Sequence, residues 1–433
     1  MTDPRMPDPS FLRGAMMRRM SRRDIFRAAG VGAGALSLSA ILAACGTEAE
    51  TSSPTGEPTG ADTPGSPEWW AAQKEAGPGA MVNFTNWPQY IDVAKEDGER
   101  VYPTLQQFTE ATGVDVTYRA DINDNAQFYA QIRPALEGGT DTGHDIIVIT
   151  NGPQLTEMIE LGYLVALDKD GHPNFDAQAD PTVVDPAYDP GNAYTLAWQS
   201  GFTGIAYNTK YIDREITSLQ DLLDPAFSGK IGMMGNDDCA NLALLAVGVD
   251  PETSTTEDWQ TAADWLQTQK DSGVVRKYYI QDYLTAFENE DVWISLAWSG
   301  DILIDQLYYD RPEFRFIIPD EGGIIWTDNM CIPQNAANPV GAMMLMDWYY
   351  QPEIAAALTE WNNYVGPVPA AKPIIEQHAA DATGADKELL ETIYNSPFVF
   401  PTPEIAAQVS NSRVLSAEEE QQWNDLFVPI WQE

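Results

Sequence analysis

From residue 80 onward, apolar positions follow two spacings in alternation, one of period two and one of a helical turn. Met81 to Phe84 is a short apolar run, predicted as a strand that leads into a loop at Asn86-Trp87. Leu105, Phe108 and Thr112 mark one face of a helix that should stop at Gly113, and Val114 to Tyr118 then alternates as a strand. Asp145-Ile146-Ile147-Val148-Ile149 is continuously apolar, as expected of a parallel strand buried on both faces. Pro153 to Leu161 reads as a helix closed by Gly162. This βαβα rhythm predicts an α/β fold with mainly parallel sheets.

The second half continues the pattern. Tyr194 to Tyr207 reads as one extended segment, long enough to cross between lobes. Ser254 to Ser272 is an amphipathic helix with Trp259, Ala262, Ala263 and Leu266 on one side. Val292 to Ala297 and Phe314 to Ile318 are predicted strands, and Pro339 to Trp361 carries helix signals. Ser416-Ala417-Glu418-Glu419 is a capping box that opens a last helix with Trp423, Leu426 and Phe427 on its apolar side. No internal repeat is visible. A chain of 433 residues, 44% hydrophobic, suits two lobes better than one.

The N-terminus departs from this pattern. Arg18, Arg19, Arg22, Arg23 and Arg27 precede an apolar run from Ala28 to Ala44, which describes an export signal over residues 1–44. The run is short for a membrane span and is weakened as a helix by Gly30, Gly32 and Gly34. Ser21-Arg22-Arg23-Asp24-Ile25-Phe26 resembles the twin-arginine export motif, and Leu42-Ala43-Ala44-Cys45-Gly46 resembles a bacterial lipobox. These imply cleavage before Cys45 and a lipid on its sulfur. Thr47 to Pro67, rich in Thr, Ser, Pro, Gly and Glu, reads as a disordered tether; with Cys45 it makes a segment, 45–78, ahead of the folded part. The expected location is outside the cytoplasm, lipid-anchored to the outer face of the cytoplasmic membrane or periplasmic.

Charge narrows the function. Against 24 Lys and Arg stand 65 Asp and Glu, a formal net charge of −41, which excludes nucleic acid as the expected partner. Such acidity favours approach by cations, although it serves solubility equally well. Beyond Cys45, Cys239 and Cys331 either form a disulfide or stay as free buried thiols.

Three tryptophans sit beside an acid or amide, in Asn86-Trp87-Pro88-Gln89-Tyr90, Trp298-Ser299-Gly300-Asp301 and Trp326-Thr327-Asp328. An indole face attracts a cation and a neighbouring carboxylate accepts ammonium hydrogens, so the three together suggest a box for a small organic cation. Taken singly, each has a plainer reading as core packing or a turn cap. Enzyme signatures are missing: His144, His172 and His378 are scattered, and neither a nucleophile elbow nor a P-loop occurs. No catalytic residue, cofactor or metal is expected.

From about residue 80 to the C-terminus the chain resembles the spermidine/putrescine-binding proteins of bacterial ABC transporters. The most specific stretch is Glu321-Gly322-Gly323-Ile324-Ile325-Trp326-Thr327-Asp328, supported by Asn86 to Tyr90, Gln107 to Gly113, Asp237-Asp238 and Trp298 to Asp301 in the same order. The resemblance implies a two-lobe periplasmic-binding-protein fold of type II character with hinge strands, lobe 1 holding 79–201 and 329–373 and lobe 2 holding 202–328 and 374–433. It implies a monomer that closes on a polyamine or similar small cation and docks on a permease and ATPase complex, touching the membrane through its lipid alone. Trp87, Tyr90, Trp298, Trp326 and Tyr364 would wall the slot. Asp328 would take an inner amine, Asp238 a terminal amine, and Asp301 matches a position acidic in some putrescine-type members. Thr150 would line the slot with its hydroxyl.

Three positions depart from the family pattern. Asn241 and Gln89 stand where acids are common, and Asn151-Gly152-Pro153 replaces an expected aromatic. Each lost carboxylate removes a partner for a buried ammonium. Another small cation, such as an amino-alcohol or guanidino compound, therefore remains a rival ligand. A surface sensor or adhesin on the same fold is the rival class.

Overall fold

The computed structural model describes Gly60 and residues 63–432, apart from 97 and 281. The signal segment 1–44 and Cys45 lie outside the described residues. Among the described residues twelve strands form: β1 (Met81–Thr85), β2 (Ala94–Glu96), β3 (Glu99–Val101), β4 (Asp115–Arg119), β5 (Ile146–Thr150), β6 (Thr195–Asn208), β7 (Ile231–Met234), β8 (Val275–Tyr279), β9 (Ile294–Trp298), β10 (Phe314–Ile317), β11 (Gly323–Cys331) and β12 (Val409–Asn411). All but the β2–β3 hairpin join one sheet in the order β4-β1-β5-β11-β6-β9-β7-β8, with β10 on β6 and β12 on β11.

Two parallel blocks sit at the ends of that sheet. β4, β1 and β5 run parallel in lobe 1, and β9, β7 and β8 run parallel in lobe 2. Between them lie β6 and β11, antiparallel to each other and shared by both lobes. Every residue of β6 is buried, which explains its 14 residues of largely apolar sequence. Near its start it pairs through β11 with the lobe 1 side, and beyond Thr203 it pairs with β9 and β10. Register slips between Asp328 and Asn329, leaving Trp198 as the extra residue on β6. Such a bulge sharpens local twist, here where the chain passes from one lobe to the other.

Local signals explain the flanking helices. Helix Pro103–Thr112 has Pro at its start and ends at Gly113 with φ 75°, a left-handed stop that glycine adopts without steric cost. The capping box is present at Ser416 and Glu419, opening helix Ala417–Trp431. Pro339 to Trp361 resolves into two helices, Pro339–Trp348 and Pro352–Asn362, because Pro352 starts a new helix.

Each lobe has its own apolar core. Phe84, Phe108, Val148, Trp198 and Tyr350 centre the first, and Ile205, Ile231, Leu242, Trp259 and Leu296 the second. A smaller cluster under β5 includes Ile122, Ile149, Leu155 and Cys331.

Two boundary expectations are corrected. Segment 45–78 is not tether throughout, since Pro67–Ala76 is a helix capped by Ser66. Its Trp70 is 2% exposed and donates from Nε1 to the Ala166 carbonyl at 2.8 Å, while Lys74 pairs with Asp168. The tryptophan pair gives this short segment enough apolar surface to dock on lobe 1. Nor does all of 374–433 join lobe 2. Ile375, Ala379, Leu390, Ile393 and Val399 belong to the lobe 1 core, because helices Ala371–Asp381 and Ala385–Asn395 bury their apolar faces there. Only the end of the chain crosses, with Trp423, Phe427 and Ile430 in the lobe 2 core.

Of the two alternatives for the cysteines, the structure has the unpaired one. Cys239 and Cys331 are free, buried thiols; one sits in the lobe 2 core and the other in the cluster under β5.

Candidate functional site

A cavity of about 570 Å³ lies between the lobes, and all nine residues proposed from sequence as ligand contacts line it. Strand geometry explains part of the arrangement. Positions i and i+2 of a strand point to one face, so Trp326 and Asp328 on β11 both meet the cleft. Thr150 ends β5 directly opposite Asp328 in the ladder, and its hydroxyl donates to Asp328 Oδ1 at 2.6 Å. Burial raises the Asp328 carboxyl to about 6, with Asp238 adding to the rise and the Thr150 and Tyr90 hydroxyls pulling it back.

Asp238 sits in the first turn of helix Asp237–Ala246, where the helix dipole favours a carboxylate. Its Oδ2 accepts from Thr203 Oγ1 at 2.7 Å and from Trp298 Nε1 at 3.1 Å. Thr203 in turn accepts from Trp326 Nε1 at 3.1 Å. Both indoles are thereby oriented by one carboxylate. Burial moves the Asp238 carboxyl above its ordinary range, against those two hydrogen bonds.

Asp301 occupies the third position. Tyr283 donates to its Oδ2 at 2.7 Å and Tyr364 to its Oδ1 at 3.0 Å. The Tyr364 ring packs edge-on against Tyr90 at 5.3 Å and tilted against Trp326 at 5.5 Å. Space for it depends on two glycines. A Cβ on Gly300 would come within 2.6 Å of that ring, and one on Gly201 within 2.4 Å of Trp326. Trp87 lines the lobe 1 wall beside Gln89, whose φ of 60° belongs to a tight turn.

Over residues 141–388 the chain matches the model for bacterial extracellular solute-binding proteins. The chain belongs to that family. This solute-binding protein is 26% identical over 318 residues to the spermidine/putrescine-binding periplasmic protein of Escherichia coli K12, covering 72% of this chain and 84% of the relative. It is 28% identical over 341 residues to spermidine/putrescine-binding periplasmic protein 1 of Haemophilus influenzae, covering 77% and 86%. Its fold is shared with a putative spermidine/putrescine ABC transporter from Listeria monocytogenes, with TM-score 0.66, 23% identity, and coverage of 82% and 99%.

Four residues that line the binding protein's cleft or hold its lining side chains were not singled out from sequence. Thr203 and Tyr283 hold Asp238 and Asp301, and nothing in their local sequence marks them. Asp237 and Trp423 form a further acid–indole pair at 2.9 Å. Asp237 stands beside Asp238 in sequence, whereas Trp423 reads as one more apolar position of the last helix. Asn241 lines the cavity, but its amide donates to Ser412 Oγ at 2.9 Å.

Proposed function

We propose that this solute-binding protein captures a linear polyamine of the putrescine and spermidine class and delivers it to an ABC importer. The observation that carries the reading is the pairing of Asp238 and Asp328 with Trp298 and Trp326 in one cleft. Carboxylates at the nitrogens and aromatic faces along the methylenes are what an alkyl diammonium requires. Putrescine would span Asp328 and Asp238, with Trp87, Tyr90, Trp298, Trp326 and Tyr364 against its carbons. Asp301 acts through Tyr364 by fixing that ring, and Thr150 steadies Asp328. The names of the relatives support the same ligand class.

Closure of the lobes about β6 and β11 would bury the ligand, and Cys45 would carry the lipid that keeps the monomer at the membrane. The protein releases its ligand unchanged and performs no turnover. The structural setting of Asn241 leaves the number of charges it can neutralise lower than an acid there would allow. A guanidino compound is therefore the competing ligand.

Titration calorimetry with putrescine, spermidine, agmatine and choline tests the proposal. Micromolar or tighter binding of a polyamine, with ligand recovered intact by mass spectrometry, is the expected result. No heat with either polyamine sinks it.

A further inference from the structure

The cavity does not end at Asp238. It is lined as well by Asp237, Tyr278, Trp423 and Trp431 of lobe 2 and by Asp124 of lobe 1. Asp237 adjoins Asp238 in the first turn of its helix, and its Oδ1 accepts from Trp423 Nε1. Asp124 caps helix Asn125–Glu137 through the Gln127 amide at 2.8 Å. Each lobe thus contributes one carboxylate to this outer end. Burial raises the Asp237 carboxyl against the Trp423 hydrogen bond, and Asp238 and Asp124 raise it further as nearby like charges.

Nothing cationic along the described cavity wall answers that charge. Arg413, the cationic side chain that lines the cavity, is held by Glu419 and the Ser254 carbonyl and lies over the Trp259 ring. In the same compartment, the buried Asn236 Oδ1 and Tyr278 hydroxyl have no hydrogen-bond partner among the described residues. Buried polar atoms of this kind are costly unless a ligand or water completes them.

We propose that this outer compartment is a second cation subsite, in which the far ammonium of a linear triamine sits between Asp237 and Asp124 against the indoles of Trp423 and Trp431. The inference rests on the polyamine reading and deepens it. All four acids line the one cavity, with Asp238 near enough to raise both Asp328 and Asp237 and Asp124 near enough to raise Asp237. A diamine ends at Asp238, whereas a triamine continues into the outer end. Because the two outer carboxylates come from different lobes, their ammonium is gripped only when the cleft is closed. That makes Asp237 and Asp124 the residues that determine ligand length.

The experiment is calorimetric titration of spermidine and of putrescine into the unsubstituted protein, Asp237→Asn and Asp124→Asn. Asparagine at 237 keeps an oxygen for the Trp423 indole, and putrescine binding reports that each variant retains a folded cleft. Each substitution is expected to lower spermidine affinity about tenfold while changing putrescine affinity less than about twofold. A spermidine-to-putrescine affinity ratio unchanged in both variants overturns the subsite, whatever the separate affinities do. Failure of the unsubstituted protein to bind either amine overturns the polyamine reading instead.

Discussion

Thr203 Oγ1 donates to Asp238 Oδ2 at 2.7 Å and also accepts from the Trp326 indole at 3.1 Å. One hydroxyl on a shared strand therefore couples a lobe 2 carboxylate to an aromatic wall on β11. Threonine to valine keeps the shape and removes both links. Thr203→Val leaves Trp326 Nε1 without its acceptor and Asp238 with one donor fewer, a loss of about 1–3 kcal/mol for buried polar groups. Chemical denaturation should show that loss. Calorimetry should show ligand affinity down by about tenfold, and an affinity equal to that of the unsubstituted protein would remove Thr203 from the site.

Gly201 makes room for the same wall. An added Cβ would meet Trp326 at 2.4 Å and Tyr364 at 2.9 Å, distances that neither buried ring can relieve by a small rotation. Gly201→Ala should therefore cost about 1–3 kcal/mol of stability through overpacking. The larger effect is on binding, because displacing both rings disturbs the faces offered to an alkyl ammonium. Loss of ligand-induced tryptophan fluorescence change, with at least a tenfold weaker affinity, is the expected outcome.

Much of this cleft could be read from sequence, for a definable reason. Trp326 and Asp328 are two apart on one strand, so the strand period alone aims both at the same space. Trp298 and Asp301 flank the junction of β9 with helix Ser299–Tyr308, and the end of a strand is a natural place for a site residue. Thr203 and Tyr283 could not be read this way, because their roles exist only once separate elements have been brought together: Thr203 with Asp238 and Trp326, and Tyr283 with Asp301. The helix Pro67–Ala76 was hidden by a different effect. Its polar, proline-rich approach dominates the local composition, and the docking of Trp70 against Ala166 adds to the Ser66 cap in holding ten residues helical. The assignment of 374–399 to lobe 1 was likewise a matter of packing partners, which periodicity does not identify.

The cysteines yield a redox prediction. Burial pushes both thiols above their ordinary range, and they belong to different apolar clusters. Thiolate is the reactive form, so neither should react in the native state. Cys239 and Cys331 should be modified by maleimide only in denaturant, and reductant should leave the melting temperature unchanged. A mass two hydrogen atoms lighter in the non-reduced folded domain, resolved after proteolysis to a Cys239–Cys331 crosslinked peptide, would refute this.

The Asp328 carboxyl supplies the pH dependence. Its value in the fold is about 6 against an ordinary 3.8, chiefly because burial disfavours the charged form. The folded state therefore holds this proton more tightly than the unfolded chain does. Ionised Asp328 destabilises the ligand-free fold above pH 6, and that penalty is relieved as pH falls through about 6 towards 4. A shift of two units corresponds to about 3 kcal/mol. Comparison with Asp328→Asn isolates this group, since the variant retains every other carboxylate. Between pH 7 and 4 the unsubstituted protein should gain stability relative to the variant by about that amount in denaturant titrations.

Ligand binding should follow the opposite course. An ammonium requires the ionised carboxylate, so below pH 6 the site must release a proton before it can pair. Affinity should be flat above pH 7 and weaken by about tenfold per unit below 6, with about one proton released per ligand at pH 5 and about a tenth of one at pH 7. Burial raises the Asp238 carboxyl as well, so its protonation adds to the fall. Calorimetry in buffers of different ionisation enthalpy measures the released protons directly. An affinity independent of pH between 5 and 7 would show that Asp328 does not carry the ligand's charge.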